Sequence, residues 1–164
     1  MSDSVNLPPI VSGTHKVRFQ DCDPFNHLNN SKYIDYMINV REDAIEESYD
    51  FNLYDLAYKQ GIGWVIATNQ ISYLKPAFLL ESVLCESQII ASSKRSITVE
   101  HRMYNLDKSH LKSVMWSQLV HIDIKKQRPI EHSEEFMGLF QQLTSPVDQD
   151  IFKHRVIALR QANP

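Results

Sequence analysis

The sequence predicts an α+β domain in which an antiparallel sheet of about five strands wraps around one long helix, followed by a helical C-terminal tail. A first strand is followed by a single long amphipathic segment, and four segments with the period-two alternation of strands come next. Consecutive strands joined by short turns usually pair antiparallel. A long helix then has to bury its apolar stripe against one face of that sheet.

Length and composition favour one domain without a membrane span. The 164 residues, 43% of them hydrophobic, are enough for a sizeable core. The formal net charge of -3 offers no basic excess for nucleic acid or an anionic membrane, and no apolar run approaches the ~20 residues of a spanning helix. Cys22 and Cys85 are too few for a disulfide framework, and the N-terminus lacks a signal pattern, so we expect a cytoplasmic protein.

We expect three regions: a flexible leader over residues 1–12, the α+β domain over 13–128, and a helical tail packed on the domain over 129–164. Alternation places the first strand at residues 14–20, with His15, Val17 and Phe19 on one face. The remaining elements are predicted in chain order as a long helix at 31–48, strands at 64–74, 83–91, 97–104 and 111–124, and tail helices at 131–143 and 150–160.

The long helix has the clearest local signals. Asn29 or Asn30 is suited to cap it, because an Asn side chain accepts a hydrogen bond from a free N–H of the first turn. Apolar residues then recur at helical spacing on one face, namely Tyr33, Tyr36, Met37, Val40, Ala44 and Ile45.

The segment between the first strand and this helix concentrates groups suited to catalysis. Asp21 and Asp23 flank Cys22, Asp23 precedes a proline, and His27 follows before the Asn pair. The N–H groups at a helix start can stabilise developing negative charge. This combination suits acyl transfer or hydrolysis better than a plain connection.

The same segment resembles the hotdog-fold acyl-CoA thioesterases of the 4-hydroxybenzoyl-CoA thioesterase type. A second similarity lies in residues 70–77, where Tyr73 is followed after two residues by Pro76. The resemblance implies a hotdog fold, hydrolysis of an acyl-CoA to free acid and CoA, and no cofactor beyond the CoA of the substrate. It is carried in the first motif by Arg18, Asp21, Asp23, His27, Asn29, Asn30 and Tyr33.

The resemblance also implies roles for three residues of the turn. Asp23 would attack the thioester carbonyl or activate water, the backbone N–H of Asn30 would bind the oxyanion, and His27 would orient the carbonyl or carry a proton. The alternative for Asp23 is a structural one, in which its carboxylate accepts N–H groups of the Asp-Pro turn. His27 could likewise be a turn histidine bonded to backbone.

Further residues are candidates for substrate binding. Tyr33, Tyr36 and Met37 on the helix would line an acyl pocket. Lys94 and Arg95, in the turn between two strands, would contact the phosphates of CoA, although such a pair is more often a solvated turn. No His or Cys spacing suggests a metal site.

Two positions depart from the family pattern. Phe25 replaces an Asn found in acyl-carrier-protein thioesterases, and Asn26 stands where many relatives have Gly before the His; Asn tolerates left-handed backbone. An acyl-carrier-protein thioesterase and a non-catalytic acyl-thioester-binding protein therefore remain alternatives. Because the sheet leaves an edge strand and one side of the pocket open, we expect a homodimer or homotetramer.

Overall fold

The computed structural model describes residues 7–163 and has a curled antiparallel sheet with one long helix on its concave face. The strand order is β1-β3-β4-β5-β2, and a short last strand pairs with the end of β5. The strands are β1 (Ile10–Lys16), β2 (Ile62–Tyr73), β3 (Ser82–Ser92), β4 (Ser96–Asn105), β5 (Leu111–Asp123) and β6 (Arg128–Pro129). The helices are α1 (Asn30–Tyr49), α2 (Leu53–Asp55), α3 (Glu134–Leu143) and α4 (Phe152–Ala162).

This architecture confirms the predicted hotdog fold. Within residues 7–163, no helix is both long enough and apolar enough to cross a membrane. Residues 1–6 of the predicted leader lie outside the described residues.

The first strand is displaced from its predicted position. β1 starts at Ile10, inside the segment predicted as a leader, and ends at Lys16. Val17 is fully buried, as its alternation predicted, but Phe19 is 79% exposed. The reason is that Phe19–Asp21 forms a 3-10 turn, which leaves the sheet before the predicted strand end.

Helix α1 matches its prediction closely. Asn29 caps it by accepting a hydrogen bond from the Ser31 N–H (3.1 Å), and Asp50 ends it in a left-handed conformation (φ 51°). Its buried face packs on the concave side of the sheet against Val83, Cys85, Met103 and Met115. Glycine at position 13 of β1 permits this packing, since a Cβ there would meet Val40 Cγ1 at 2.9 Å.

The tail covers the sheet on two sides. Phe140 and Leu143 of α3 pack with Ile89, Ile97 and Val99. Helix α4 packs Val156 and Leu159 against Tyr104, Leu111 and Val114.

A buried ion cluster also fastens α4 to the convex face. Glu100 of β4 is completely buried and accepts hydrogen bonds from both Nε and Nη2 of Arg155 (2.8 Å each). It also accepts from Trp116 Nε1 (2.8 Å) and Arg102 Nη1 (2.5 Å). A buried carboxylate needs such partners, because an isolated buried charge is costly.

Candidate active site

The chain between β1 and α1 folds back on itself. The Asp23 N–H donates to the His27 carbonyl (2.8 Å), and the Asn29 N–H donates to the Asp21 carbonyl (2.8 Å). Between these bonds, Cys22 and Leu28 form an antiparallel bridge. The two acids therefore lie opposite His27 and Asn29, directly before the start of α1.

The Asp23 carboxylate is held by its own turn. Its Oδ1 accepts hydrogen bonds from the backbone N–H groups of Phe25 (2.8 Å) and His27 (3.0 Å). Its Oδ2 has no hydrogen bond within residues 7–163, and the residue is half-buried. Oδ1 therefore holds the side chain in the Asp-Pro turn, as the structural alternative for Asp23 predicted. Oδ2 stays available to react with a substrate or water.

Asn26 adopts the left-handed conformation that its position requires, with φ 60°. Asn occupies this region more readily than most residues, so the turn keeps its shape without glycine. The Asn26 carbonyl accepts from the Leu79 N–H (2.9 Å), which ties the turn to the segment after β2. The ring of His27 packs edge-on against Phe78, with centroids 5.1 Å apart.

The start of α1 offers a free donor beside this turn. Asn29 caps the Ser31 N–H, whereas the Asn30 N–H has no hydrogen-bond partner among the described residues. The carbonyl of Asn30 accepts from the hydroxyl of Tyr73 at the end of β2 (2.9 Å). An unpaired N–H at the positive end of a 20-residue helix can stabilise an oxyanion.

Asp21 has a supporting position. Its Oδ2 accepts a hydrogen bond from the hydroxyl of Tyr36 (2.7 Å), and that hydroxyl also accepts from the Arg18 N–H (3.3 Å). Burial, reinforced by the bond to Asp21, raises the pKa of Tyr36 to about 12, so the phenol stays protonated and donates. Tyr36 therefore joins α1 to both ends of the 3-10 turn.

The three predicted acyl-pocket residues lie in the core between α1 and the sheet. Tyr33, Tyr36 and Met37 are each less than 5% exposed. The Tyr33 hydroxyl accepts from the Ala77 N–H (3.0 Å). None of the three lines the apolar cavity that lies farther along α1.

That cavity has a volume of about 320 Å³ and lies under the C-terminal half of α1. Its walls are mostly apolar and come from α1, the first half of β2, the central strands and α3. Arg41 and His101 are polar exceptions that sequence reasoning missed. Two features of the sequence could have indicated them. Arg41 is a charged residue within the apolar stripe of α1, and His101 is a histidine within the apolar face of β4.

Lys94 and Arg95 lie at the opposite end of the sheet from Asp23. The Asp23 turn bonds to the chain just before Ser82, whereas the two cations follow Ser92. The eleven residues of β3 between them span roughly 35 Å at ~3.3 Å per residue. Arg95 also pairs with Glu131 (3.1 Å). The two cations and Asp23 of one chain are therefore not brought together.

Within residues 7–163, no group of three or more His, Cys, Asp or Glu side chains is arranged to hold a metal ion. Both cysteines are free thiols.

Known proteins are similar to this chain in sequence and in fold. The chain matches the family model of the thioesterase-like superfamily over residues 17–140. It is 30% identical over 74 residues to the long-chain acyl-CoA thioesterase FadM of Escherichia coli (strain K12). That match covers 45% of this chain and 54% of FadM, so the chain spans about half the length of this curated relative.

Solved structures extend the likeness to the whole fold. A DHNA-CoA thioesterase from Staphylococcus aureus superimposes with a TM-score of 0.72 at 18% identity, covering 94% of this chain and 95% of its own. A 1,4-dihydroxy-2-naphthoyl-CoA thioesterase from Synechocystis gives 0.72 at 12% identity, covering 84% and 99%. With the family model matching most of its length, the chain belongs to the thioesterase-like superfamily, as its turn and helix motifs predicted.

Proposed function

We propose that the protein hydrolyses an acyl-CoA thioester to a free acid and CoA, and that Asp23 supplies the nucleophile or general base. The N–H of Asn30 would stabilise the oxyanion, and His27 would orient the carbonyl. CoA is part of the substrate, and the proposed reaction needs no separate cofactor.

The arrangement of the turn carries this proposal. Asp23 is fixed through Oδ1, and the same turn ends at the Asn30 N–H. Among residues 7–163, neither Asp23 Oδ2 nor this N–H has a hydrogen-bond partner. Pre-positioned groups of this kind need little rearrangement when charge develops on a thioester oxygen. The thiolate of CoA is a good leaving group, so a carboxylate is a sufficient nucleophile or base.

The apolar cavity supports an acyl substrate. β2 runs antiparallel to α1, since Tyr73 at its end bonds Asn30 while Gly63 to Ile66 at its start line the cavity. These two elements therefore have the Asp23 turn at one end and the cavity at the other. FadM is named for long-chain acyl-CoA, and the two structural relatives for a bicyclic aromatic acyl-CoA.

A thiol-release assay tests this function. The wild-type protein is assayed with acetyl-, hexanoyl-, decanoyl- and palmitoyl-CoA and with benzoyl-CoA. We expect turnover that rises with acyl length until the cavity is filled. The matching acyl-carrier-protein thioester is expected to react more slowly. Absence of turnover with every CoA ester, together with measurable binding, would favour the non-catalytic alternative.

We also propose that the protein is an oligomer assembled through β2. This edge strand has twelve residues, contains no Asp, Glu, Lys, Arg or Pro, and exposes Val65 (45%) and Ile66 (40%). Monomers usually protect such edges with charges or proline. The exposed Phe19, Phe25 and Phe78 around the catalytic turn add apolar surface suited to burial in an assembly. The free thiols support the proposal of a cytoplasmic location.

A further inference from the structure

The apolar cavity contains a positive charge without a counterion. Arg41 of α1 lines the cavity, and its Nη1 donates to the neutral hydroxyl of Ser87 (2.8 Å). No carboxylate within residues 7–163 forms an ion pair with it. Burial lowers the pKa of Arg41 to about 10, which still leaves the guanidinium charged at neutral pH.

A buried histidine lies beside this charge. His101 is 2% exposed, lines the cavity, and is the cross-strand neighbour of Ser87. Its Nδ1 has no hydrogen-bond partner among the described residues. Burial, with the nearby charges of Arg41 and Arg102, lowers the pKa of His101 to about 3, so the ring is neutral. A neutral imidazole has one N–H donor to offer.

The acid next to Arg41 in the chain does not pair with it, because adjacent residues of a helix do not face each other. Glu42 also lines the cavity, but its Oε2 accepts a hydrogen bond from the hydroxyl of Tyr54 (3.0 Å). Arg41 is half-buried at the cavity wall and His101 is buried, and buried polar atoms usually have partners. An anion that also accepts hydrogen bonds would give both Arg41 and His101 a partner.

The distance along α1 relates this pair to the catalytic turn. Arg41 follows Asn30 by eleven residues, which is about 16 Å of helix at 1.5 Å per residue. The guanidinium is held at Ser87, five residues beyond Ser82 in β3, which is about 16 Å at ~3.3 Å per residue and agrees with the distance along the helix. The hydrogen bonds at the two ends of the ligand take up about 3 Å each. An extended chain advances about 1.2 Å per bond, so the nine bonds of a ten-carbon chain span the remaining distance of roughly 11 Å.

We propose that the preferred substrate carries a carboxylate at the far end of its acyl chain, bound by Arg41 and His101. This inference rests on the proposed function, because it places the thioester carbonyl at the Asn30 N–H. A carboxylate has the opposite charge to a guanidinium, and its two oxygens can accept hydrogen bonds from two parallel N–H groups of the guanidinium. The apolar walls would contact the methylene groups between the two ends.

Kinetics with matched substrates test this inference. Decanoyl-CoA, 10-hydroxydecanoyl-CoA and the mono-CoA thioester of decanedioic acid have the same length and differ in the terminal group. We expect wild type to favour the terminal carboxylate in kcat/KM, mainly through KM. Arg41→Met should reduce this preference by about 10- to 100-fold, the effect of losing a charge-assisted pair. Arg41→Lys should keep part of it, and Arg160→Met on the exposed side of α4 should keep all of it.

The outcomes separate this inference from the proposed function. Equal loss of activity towards all three substrates in Arg41→Met, or a wild-type preference for the plain decanoyl ester, would overturn the inference and leave thioester hydrolysis intact. If no substrate is hydrolysed, calorimetric binding of the carboxylate-terminated and plain esters still decides it. If wild type, but not Arg41→Met, binds the carboxylate-terminated ester more tightly than the plain ester, the inference is supported. Equal binding of the two esters by wild type overturns it. Thermal unfolding of each variant confirms that the fold is retained.

Discussion

At the scale of single residues, we expect the buried Tyr36 to support the turn that presents Asp23 through hydrogen bonds of its hydroxyl. Its hydroxyl donates to Asp21 and accepts from Arg18, so it holds the chain that presents Asp23. Tyr36→Phe removes a hydrogen bond to a charged group, worth about 1.5–3 kcal/mol. We expect kcat to fall about tenfold, with a smaller change in KM. Unchanged kcat in a normally folded variant would refute this role.

Residue-level prediction succeeded where the signal is local. The Asn29 cap depends on one side chain and the N–H groups after it, and the left-handed Asn26 depends on its own backbone. The bond between Tyr36 and Asp21 joins residues fifteen positions apart, and periodicity only placed Tyr36 on the buried face. Arg41 was missed because its partner Ser87 lies 46 positions away.

At the scale of elements, the close contact between α1 and β1 depends on Gly13, which has no Cβ atom. An added Cβ at Gly13 would meet the stiff Val40 side chain at 2.9 Å. Gly13→Ala is expected to lower the free energy of unfolding by about 1–2 kcal/mol, the cost of mild overpacking. Gly138→Ala in α3 is the control, because its Cβ meets nothing within 4 Å and alanine should stabilise the helix by up to about 1 kcal/mol. Chemical denaturation measures both, and equal effects would contradict the packing explanation.

The docking of α4 gives a pH-dependent prediction. Burial alone would raise the pKa of Glu100, but hydrogen bonds from Arg155 and Trp116 and the charge of Arg102 hold it below its ordinary value of 4.5. Its stabilising contribution is therefore complete above pH 4.5 and is lost as the pH falls through the lower folded-state pKa. Glu100→Gln should cost about 3 kcal/mol at pH 7, because it leaves Arg155 without its anion and leaves Arg102 with only the more distant Glu86 (3.4 Å).

Unfolding followed across pH checks this expectation. The difference between wild type and Glu100→Gln should shrink in acid, and a difference that stays constant down to pH 3 would contradict it. The sequence showed Glu100 and Arg102 only as the polar residues of an alternating strand. That α4 covers this face depends on tertiary packing, which alternation within β4 does not encode.

At the scale of the whole molecule, the exposed edge of β2 predicts self-association. Thr68 lies near the middle of this strand and is exposed. In a two-fold pairing of β2 with β2, Thr68→Lys would bring like charges close together and weaken the assembly. Light scattering should show an oligomer for wild type at micromolar concentration and a smaller species for the variant. A wild-type monomer would contradict the proposal.

The five long strands and the order of the helices were predictable for the whole molecule because each of these strands and α1 has a strong period of its own. The two-residue strand β6 was not predicted, because so short a segment shows no period. The displacement of β1 and the helical turns at Leu53–Asp55 and Leu56–Gln60 were not predicted. Asn52 starts the first of these turns by accepting from Tyr54 and Asp55, a local signal that the apolar pattern obscured. The separation of Lys94 and Arg95 from Asp23 followed only from the strand pairing.

The rate of thiol release from decanoyl-CoA by Asp23→Asn tests the central claim most directly. Asn keeps the Oδ1 acceptor that Phe25 and His27 bond, so the change removes the charge while keeping the turn. We expect kcat to fall about 10²- to 10⁴-fold, as for loss of a general base, with an unchanged unfolding temperature. Asp43→Asn, on the exposed side of α1, should retain full activity. Equal rates for Asp23→Asn and wild type would contradict a catalytic role for Asp23.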